Sequence, residues 1–195
     1  MKKVILHSKR RVFDGFFKID EAELSYERFD GRMSPPLRRL CFERGDAVAA
    51  IVWHRDRQRV LLVEQFKYPA WEKGPGWIVE TMAGMIDAGE SPEAALRREL
   101  REEMGYDAEA VEPIANFYVS PGGSSERIFL FYAEVTEAGR NGRGGGVEAE
   151  GEDIETVAMP IAQLAELLCS GGLHDAKTII GVQWLLNRLN TAAKE

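Results

Sequence analysis

The sequence predicts an α+β chain in which a mixed β-sheet is layered against helices and a small antiparallel β subdomain comes first. Three observations carry this reading. Along the chain the order is strands, one helix, strands, then helices, which suits a layered α+β domain. The central helix has its own start and stop signals. The first 45 residues hold short β-type runs separated by Asp-Gly turns.

In the first segment the apolar runs fall at residues 4–6, 16–19, 24–29 and 38–42, with turns at Asp14-Gly15 and Asp30-Gly31. Three such strands are marginal by themselves. Residues 1–45 are therefore expected to pack on the main domain, residues 46–195, or on a second subunit. Residues 47–53 and 59–66 form a hairpin about Arg55-Asp56-Arg57, and residues 77–82 form one further strand entering a loop at Gly84.

A helix is expected over residues 92–104. Ser91 is a good N-cap and Pro92 suits the first helical position. Glu93 places an anion in the first turn, where the helix dipole favours it. Ala94, Ala95, Leu96 and Leu100 are good helix formers, and Gly105 is a natural C-terminal stop. Strands follow at residues 111–119 and 127–135, then a Gly-rich stretch at 139–151, a short strand at 156–159, and helices at 161–169 and 178–189.

Bulk properties bound the function. At 195 residues the chain can bury one real core. A formal net charge of −7 argues against general binding to nucleic acid or anionic membranes. There is no apolar run near the length of a membrane span and no charged-apolar-small leader, so a cytoplasmic protein is expected. Cys41 and Cys169 form no metal or redox motif and sit among apolar neighbours, which suggests reduced core thiols. His7, His54 and His174 are scattered, which speaks against zinc.

The chemistry is concentrated at residues 84–106. Glu99, Glu102 and Glu103 share one side of the expected helix. They lie in its C-terminal half, where the dipole disfavours anions, and each like-charge pair costs about 0.2–0.5 kcal/mol on an isolated helix. A hard cation would reverse that penalty. Mg²⁺ and Mn²⁺ prefer carboxylate and carbonyl oxygens, and Mg²⁺ often also uses substrate phosphates. Arg98 can pair with Glu90 and hold loop against helix. Three glutamates alone would read as a solvated face bridged by Arg97, Arg98 and Arg101. Here Gly84, Glu90, Arg98, Glu99, Leu100, Glu102, Glu103, Gly105 and Tyr106 fill every position of one pattern.

That pattern resembles the Nudix box. The resemblance implies a Nudix fold, an α/β/α sandwich with a mixed sheet, and a metal-dependent hydrolase. Glu99, Glu103 and the Ala83 carbonyl would bind Mg²⁺ (or Mn²⁺), with Glu102 assisting. Gly84, Glu90, Arg98 and Gly105 would be structural in the motif.

Three further segments narrow the resemblance to the ADP-ribose pyrophosphatase and GDP-mannose hydrolase subgroup. Ser120 to Glu126 carries a proline, Pro121, fifteen residues after Tyr106, as in the ADP-ribose enzymes. The acidic end of the Gly-rich loop implies Glu150 as general base, with Glu148 a competitor, and Glu152 as an auxiliary metal ligand. The stretch around Phe16 and Arg39 matches a dimerisation region, so Phe16 would stack on adenine beside Arg39, in a homodimer. The implied substrate-binding set is Phe16, Arg39, Lys67, Glu80, Pro121, Gly122 and Glu126. Lys67 stands where the subgroup usually has arginine, and lysine lacks the bidentate fork. Gly144 to Ile154 and Asp175-Ala176-Lys177-Thr178 instead resemble the GDP-mannose branch. The expected reaction is hydrolysis of a nucleoside diphosphate sugar, ADP-ribose giving AMP and ribose 5-phosphate. GDP-mannose is the alternative substrate, and a non-catalytic nucleotide-sugar sensor is the rival from another class.

Overall fold

The computed structural model describes residues 1–192. The chain divides into two compact units, residues 1–46 with 117–127, and residues 47–116 with the chain from 128 onward.

In the first unit β1 (Val4–Asp14), β2 (Lys18–Tyr26) and β3 (Leu37–Glu43) form an antiparallel sheet in that order. β1 is much longer than the apolar run at 4–6 predicts. Its second half is basic, and it stays in register because β2 supplies acids. Arg11 lies 2.8 Å and Lys9 3.0 Å from Asp20, and Arg10 lies 2.7 Å from Glu21. The same pairs explain why two expected runs merge into β2 across the charged residues 20–23. The turns at Gly15 and Gly31 stand where expected, Gly31 with φ +80°. Residues 117–127 join this unit through Phe42, whose amide donates to the Gly123 carbonyl at 2.8 Å.

The second unit is a seven-stranded mixed sheet. β4 (Ala47–His54) and β5 (Arg59–Phe66) are the expected hairpin. After a short helix α1 (Tyr68–Trp71), the strand expected over 77–82 is in fact two: β6 (Trp77–Glu80) pairs with β5, and β7 (Met82–Met85) pairs with β4. The chain changes neighbours at Thr81, whose amide leaves the ladder and donates to Thr178 Oγ1 at 2.8 Å. β8 (Ala110–Tyr118), β9 (Arg127–Val135) and β10 (Ile154–Met159) complete the order β10-β5-β4-β9-β8, with β9 parallel to β4.

Alternation along β4 divides two cores. Val48, Ala50 and Val52 pack with Leu96, Leu100 and Met104 on one face. Ile51, with Leu62 and Tyr132, packs with Leu164, Val182 and Leu185 on the other. The first face is covered by α2 (Pro92–Glu99), the second by α3 (Ile161–Ser170) and α4 (Ala176–Ala192). This is the α/β/α sandwich. α4 approaches closely at Gly181, where a Cβ would stand 3.1 Å from that of Ile51.

Two expectations are corrected. Residues 92–104 are not one α-helix: α2 ends at Glu99 and Leu100–Met104 form a π-helical turn. In a straight α-helix residues four apart drift by about 40° around the axis. The wider i→i+5 turn takes back that drift, so Leu96, Leu100 and Met104 all remain buried. Cys169 is exposed, not a core thiol, while Cys41 is half-buried. Five residues past the buried Leu164, Cys169 lies about 140° around α3 from the core face.

Candidate active site

α2 begins as the sequence dictates. The Ser91 hydroxyl accepts from the Ala94 amide at 3.2 Å, and Gly105 closes the π turn at φ 73°. These two ends position the carboxylates between them.

Arg98 is the hub of the loop-helix junction. It grips Glu90 with both arms of its fork, Nε to Oε1 at 3.2 Å and Nη2 to Oε2 at 3.0 Å, and donates to the Met85 carbonyl at 2.9 Å. Its other nitrogen reaches Glu99 at 2.7 Å and Glu102 at 3.1 Å. The expected Arg98–Glu90 pair is therefore present, and the same guanidinium also engages two of the box carboxylates. Among the described residues no group of three metal-ligating side chains stands preassembled.

Glu99 and Glu103 are 9% and 4% exposed, rare for acids without a full set of partners. Burial raises both carboxyls. For Glu99 the Arg98 guanidinium opposes the rise. For Glu103 only the charge of Lys67 offsets the rise: burial, then Glu99 and Glu152, push it up to about 9, and its Oε2 has no hydrogen-bond partner. Gly84 is required by this packing, because a Cβ there would fall 1.9 Å from the Glu99 carboxyl carbon. A buried carboxylate oxygen without a partner, beside a second acid packed against Gly84 of β7, fits a divalent cation. Glu99, Glu103 and the Ala83 carbonyl are the groups that would hold it.

The Gly-rich loop lies on the carbonyls of the π turn. Gly145 donates to the Glu103 carbonyl at 2.9 Å and Gly146 to that of Glu102 at 3.0 Å. Gly144, at φ +69°, has no room for a Cβ, which would sit 2.5 Å from the Glu103 carbonyl oxygen. Val147 then donates to Glu152 Oε2 at 2.9 Å, holding it where its charge reaches Glu99 and Glu103. Glu152 is thus the loop acid brought to the box carboxylates. Glu148 and Glu150 lie on an exposed 3-10 turn, Glu148–Glu150.

A second ionic cluster joins β6 to α4. Lys177 reaches Glu80 at 2.8 Å and Asp175 at 2.6 Å, and Lys67 lies 3.5 Å from the other Glu80 oxygen. Asp175 caps α4 by accepting from the Thr178 amide at 2.8 Å and its hydroxyl at 2.7 Å. Burial alone would lower the Lys177 amine, yet Glu80 and Asp175 together raise it. The substrate-binding set implied by the sequence included Lys67 and Glu80, while Asp175 and Lys177 entered only within the segment that resembles the GDP-mannose branch, with no role given to either. Their signal was a lysine in a first helical turn, where the dipole repels cations unless an acid compensates.

Phe16, Arg39, Pro121, Gly122 and Glu126 belong to the first unit. Phe16 is 94% exposed and meets Phe17 edge-on at 4.9 Å. Arg39 is exposed and donates to the Arg38 carbonyl. Pro121 and Gly122 lie on an exposed turn, and Glu126 is buried 3.6 Å from Arg44.

A sheet between two helical layers, with a glycine-backed carboxylate cluster on the first, defines a hydrolase of the Nudix type. The NUDIX domain matches residues 43–179, and the chain belongs to the Nudix family. It is 33% identical to a GDP-mannose pyrophosphatase of Citrobacter koseri over 98% of this chain and 97% of that one. It is 36% identical to one of Cronobacter sakazakii, over 88% and 89%. A crystal structure of an ADP compounds hydrolase shares the fold at TM-score 0.74 and 18% identity, covering 99% of this chain and 97% of its own.

Proposed function

We propose that this enzyme cleaves the diphosphate of a nucleoside diphosphate sugar with a bound Mg²⁺ or Mn²⁺, releasing a nucleoside monophosphate and a sugar phosphate. The observation that carries the reading is the buried Glu99–Glu103 pair, with Glu103 Oε2 left without a hydrogen-bond partner and the Glu99 carboxyl packed against Gly84 of β7. GDP-mannose is the first substrate in this reading. The names of the relatives support it, as does the 175–178 segment, which ties Lys177 to Glu80 beside Lys67. ADP-ribose is the second, supported by the bare ring of Phe16, free to stack on a base.

The bound cation would neutralise the diphosphate and activate water. Glu99, Glu103 and the Ala83 carbonyl would hold it, with Glu152 and Glu102 assisting. Glu150 takes the proton from water when its turn closes on the site, and Glu148 is the alternate base on the same turn. Lys67 faces the diphosphate as a point charge. Most of the catalytic effect is positioning and electrostatics. The first unit forms a homodimer interface: β1 is exposed along its 11 residues, including Val4, Ile5, Leu6, Val12 and Phe13.

The test is phosphatase-coupled phosphate release from GDP-mannose, ADP-ribose, ADP-glucose, NADH and diadenosine polyphosphates, with Mg²⁺ and with EDTA. Metal-dependent turnover led by GDP-mannose is expected. A lead for ADP-ribose would transfer specificity to the Phe16 reading, and saturable binding without turnover would replace catalysis by sensing.

A further inference from the structure

A cavity of about 500 Å³ opens at the edge of the second unit, beside β10. None of Gly84, Glu99, Glu103 and Glu152 lines it. Its polar walls are Arg57, Tyr106, Arg140, Arg143, Asp153 and Glu155. Arg57 is already held by Glu137 at 2.5 Å. The other four charged groups behave differently. Among the described residues, Arg140, Arg143, Asp153 and Glu155 form no ion pair with one another or with any other group. Two guanidiniums and two carboxylates thus share one cavity yet stand apart. Arg140 lies 5.6 Å from the Tyr106 ring centroid and donates from Nη1 to the Tyr106 hydroxyl at 3.5 Å, so among the described residues its guanidinium contacts that one side chain and no carboxylate neutralises it.

Opposite charges held apart around a polar cavity suit a ligand that carries an anion at one end and hydroxyls at the other. Guanidinium forks match phosphate oxygens. Carboxylates, which only accept, match sugar hydroxyls. The volume falls within the range of small-molecule sites. We infer that this cavity is a second binding site, separate from the carboxylate cluster, for a phosphorylated sugar. The phosphate is taken by Arg140 and Arg143 and the hydroxyls by Asp153 and Glu155. A hexose phosphate and a nucleoside monophosphate share this chemistry.

Binding is measured by calorimetry on the full chain in EDTA, with mannose 1-phosphate, GMP and inorganic phosphate as separate probes. Glu103→Gln provides a control at the carboxylate cluster. Arg143→Ala removes an exposed side chain that has no ion-pair partner among the described residues, and should weaken either sugar phosphate by roughly ten- to hundredfold. Arg140→Lys, which keeps charge and loses the fork, should weaken it less. Glu155→Gln should weaken the sugar phosphates but not inorganic phosphate, and Glu103→Gln should change nothing. The stronger of mannose 1-phosphate and GMP identifies the sugar that the site prefers. No binding of either, unchanged affinity in Arg143→Ala, equal affinity for inorganic phosphate, or loss of binding in Glu103→Gln would each overturn the proposal.

Discussion

Glu103 combines burial, an unpartnered oxygen and two neighbouring acids, and its consequences can be measured without substrate. With its carboxyl held near about 9, the metal-free folded chain keeps a proton that the unfolded chain releases near the ordinary glutamate value. A raised acid contributes stability that is complete below the unfolded value and lost as pH climbs toward the folded one. In that window this one group should lower stability by up to about 1.4 kcal/mol per pH unit. Urea unfolding in EDTA at pH 6, 7 and 8 should show this slope in the native chain and its loss in Glu103→Gln. The same variant should abolish metal-dependent turnover while staying folded, and surviving turnover would refute the metal assignment. Gly84→Ala places a methyl on the Glu99 carboxyl. It should cost roughly 1–3 kcal/mol, as overpacking does, and should weaken Mg²⁺ binding in a titration. The box glycine, acids and arginine were legible in the sequence because their spacing along one loop and helix is local. The loss of Arg98's second arm to Glu99 and Glu102 was not, because it depends on how the loop folds back.

At the scale of elements, α4 is anchored to the sheet by the Lys177–Glu80–Asp175 cluster. Removing one partner of a buried ion pair costs about 3–5 kcal/mol, because the other charge is stranded. Lys177 is half-buried and Glu80 keeps Lys67 at 3.5 Å, so Lys177→Met should destabilise the chain by less, about 1–3 kcal/mol in urea unfolding at pH 7. A loss below about 1 kcal/mol would mean that water already screens Glu80. Helix ends were readable because capping is local: Ser91, Pro92 and Gly105 each act within a turn. Strand ends were less readable. β1 and β2 run through charged residues that pair across the strands, and β6 and β7 part at Thr81, where Thr178 at the start of α4 takes the amide that leaves the ladder. The π turn was equally hidden, since it serves the joint demands of a buried apolar ridge and a carboxylate cluster.

For the whole molecule, a cation that binds only the folded chain should stabilise it by mass action. At a hundred times its Kd, Mg²⁺ should add about 2.7 kcal/mol, seen as a rise in Tm at pH 8 that is missing in Glu103→Gln. No rise in the native chain would remove the metal from this site. The dimer is tested by light scattering: twice the chain mass is expected, and Leu6→Glu on the exposed strip of β1 should return it to one. A native monomer would reject the shared interface.

The sequence alone determined the family pattern, the capped helix, the strand-helix order and the cluster of box acids Glu99, Glu102 and Glu103. Each of these follows from spacing within a turn or along a strand. Only the tertiary structure decided that the Glu148–Glu150 turn stays exposed while Glu152 lies near the box acids, that Lys177 meets Glu80, and that Arg140 and Arg143 share a cavity with Asp153 and Glu155. These groups are distant along the chain, and their meeting depends on loop path and sheet order, which no local periodicity encodes.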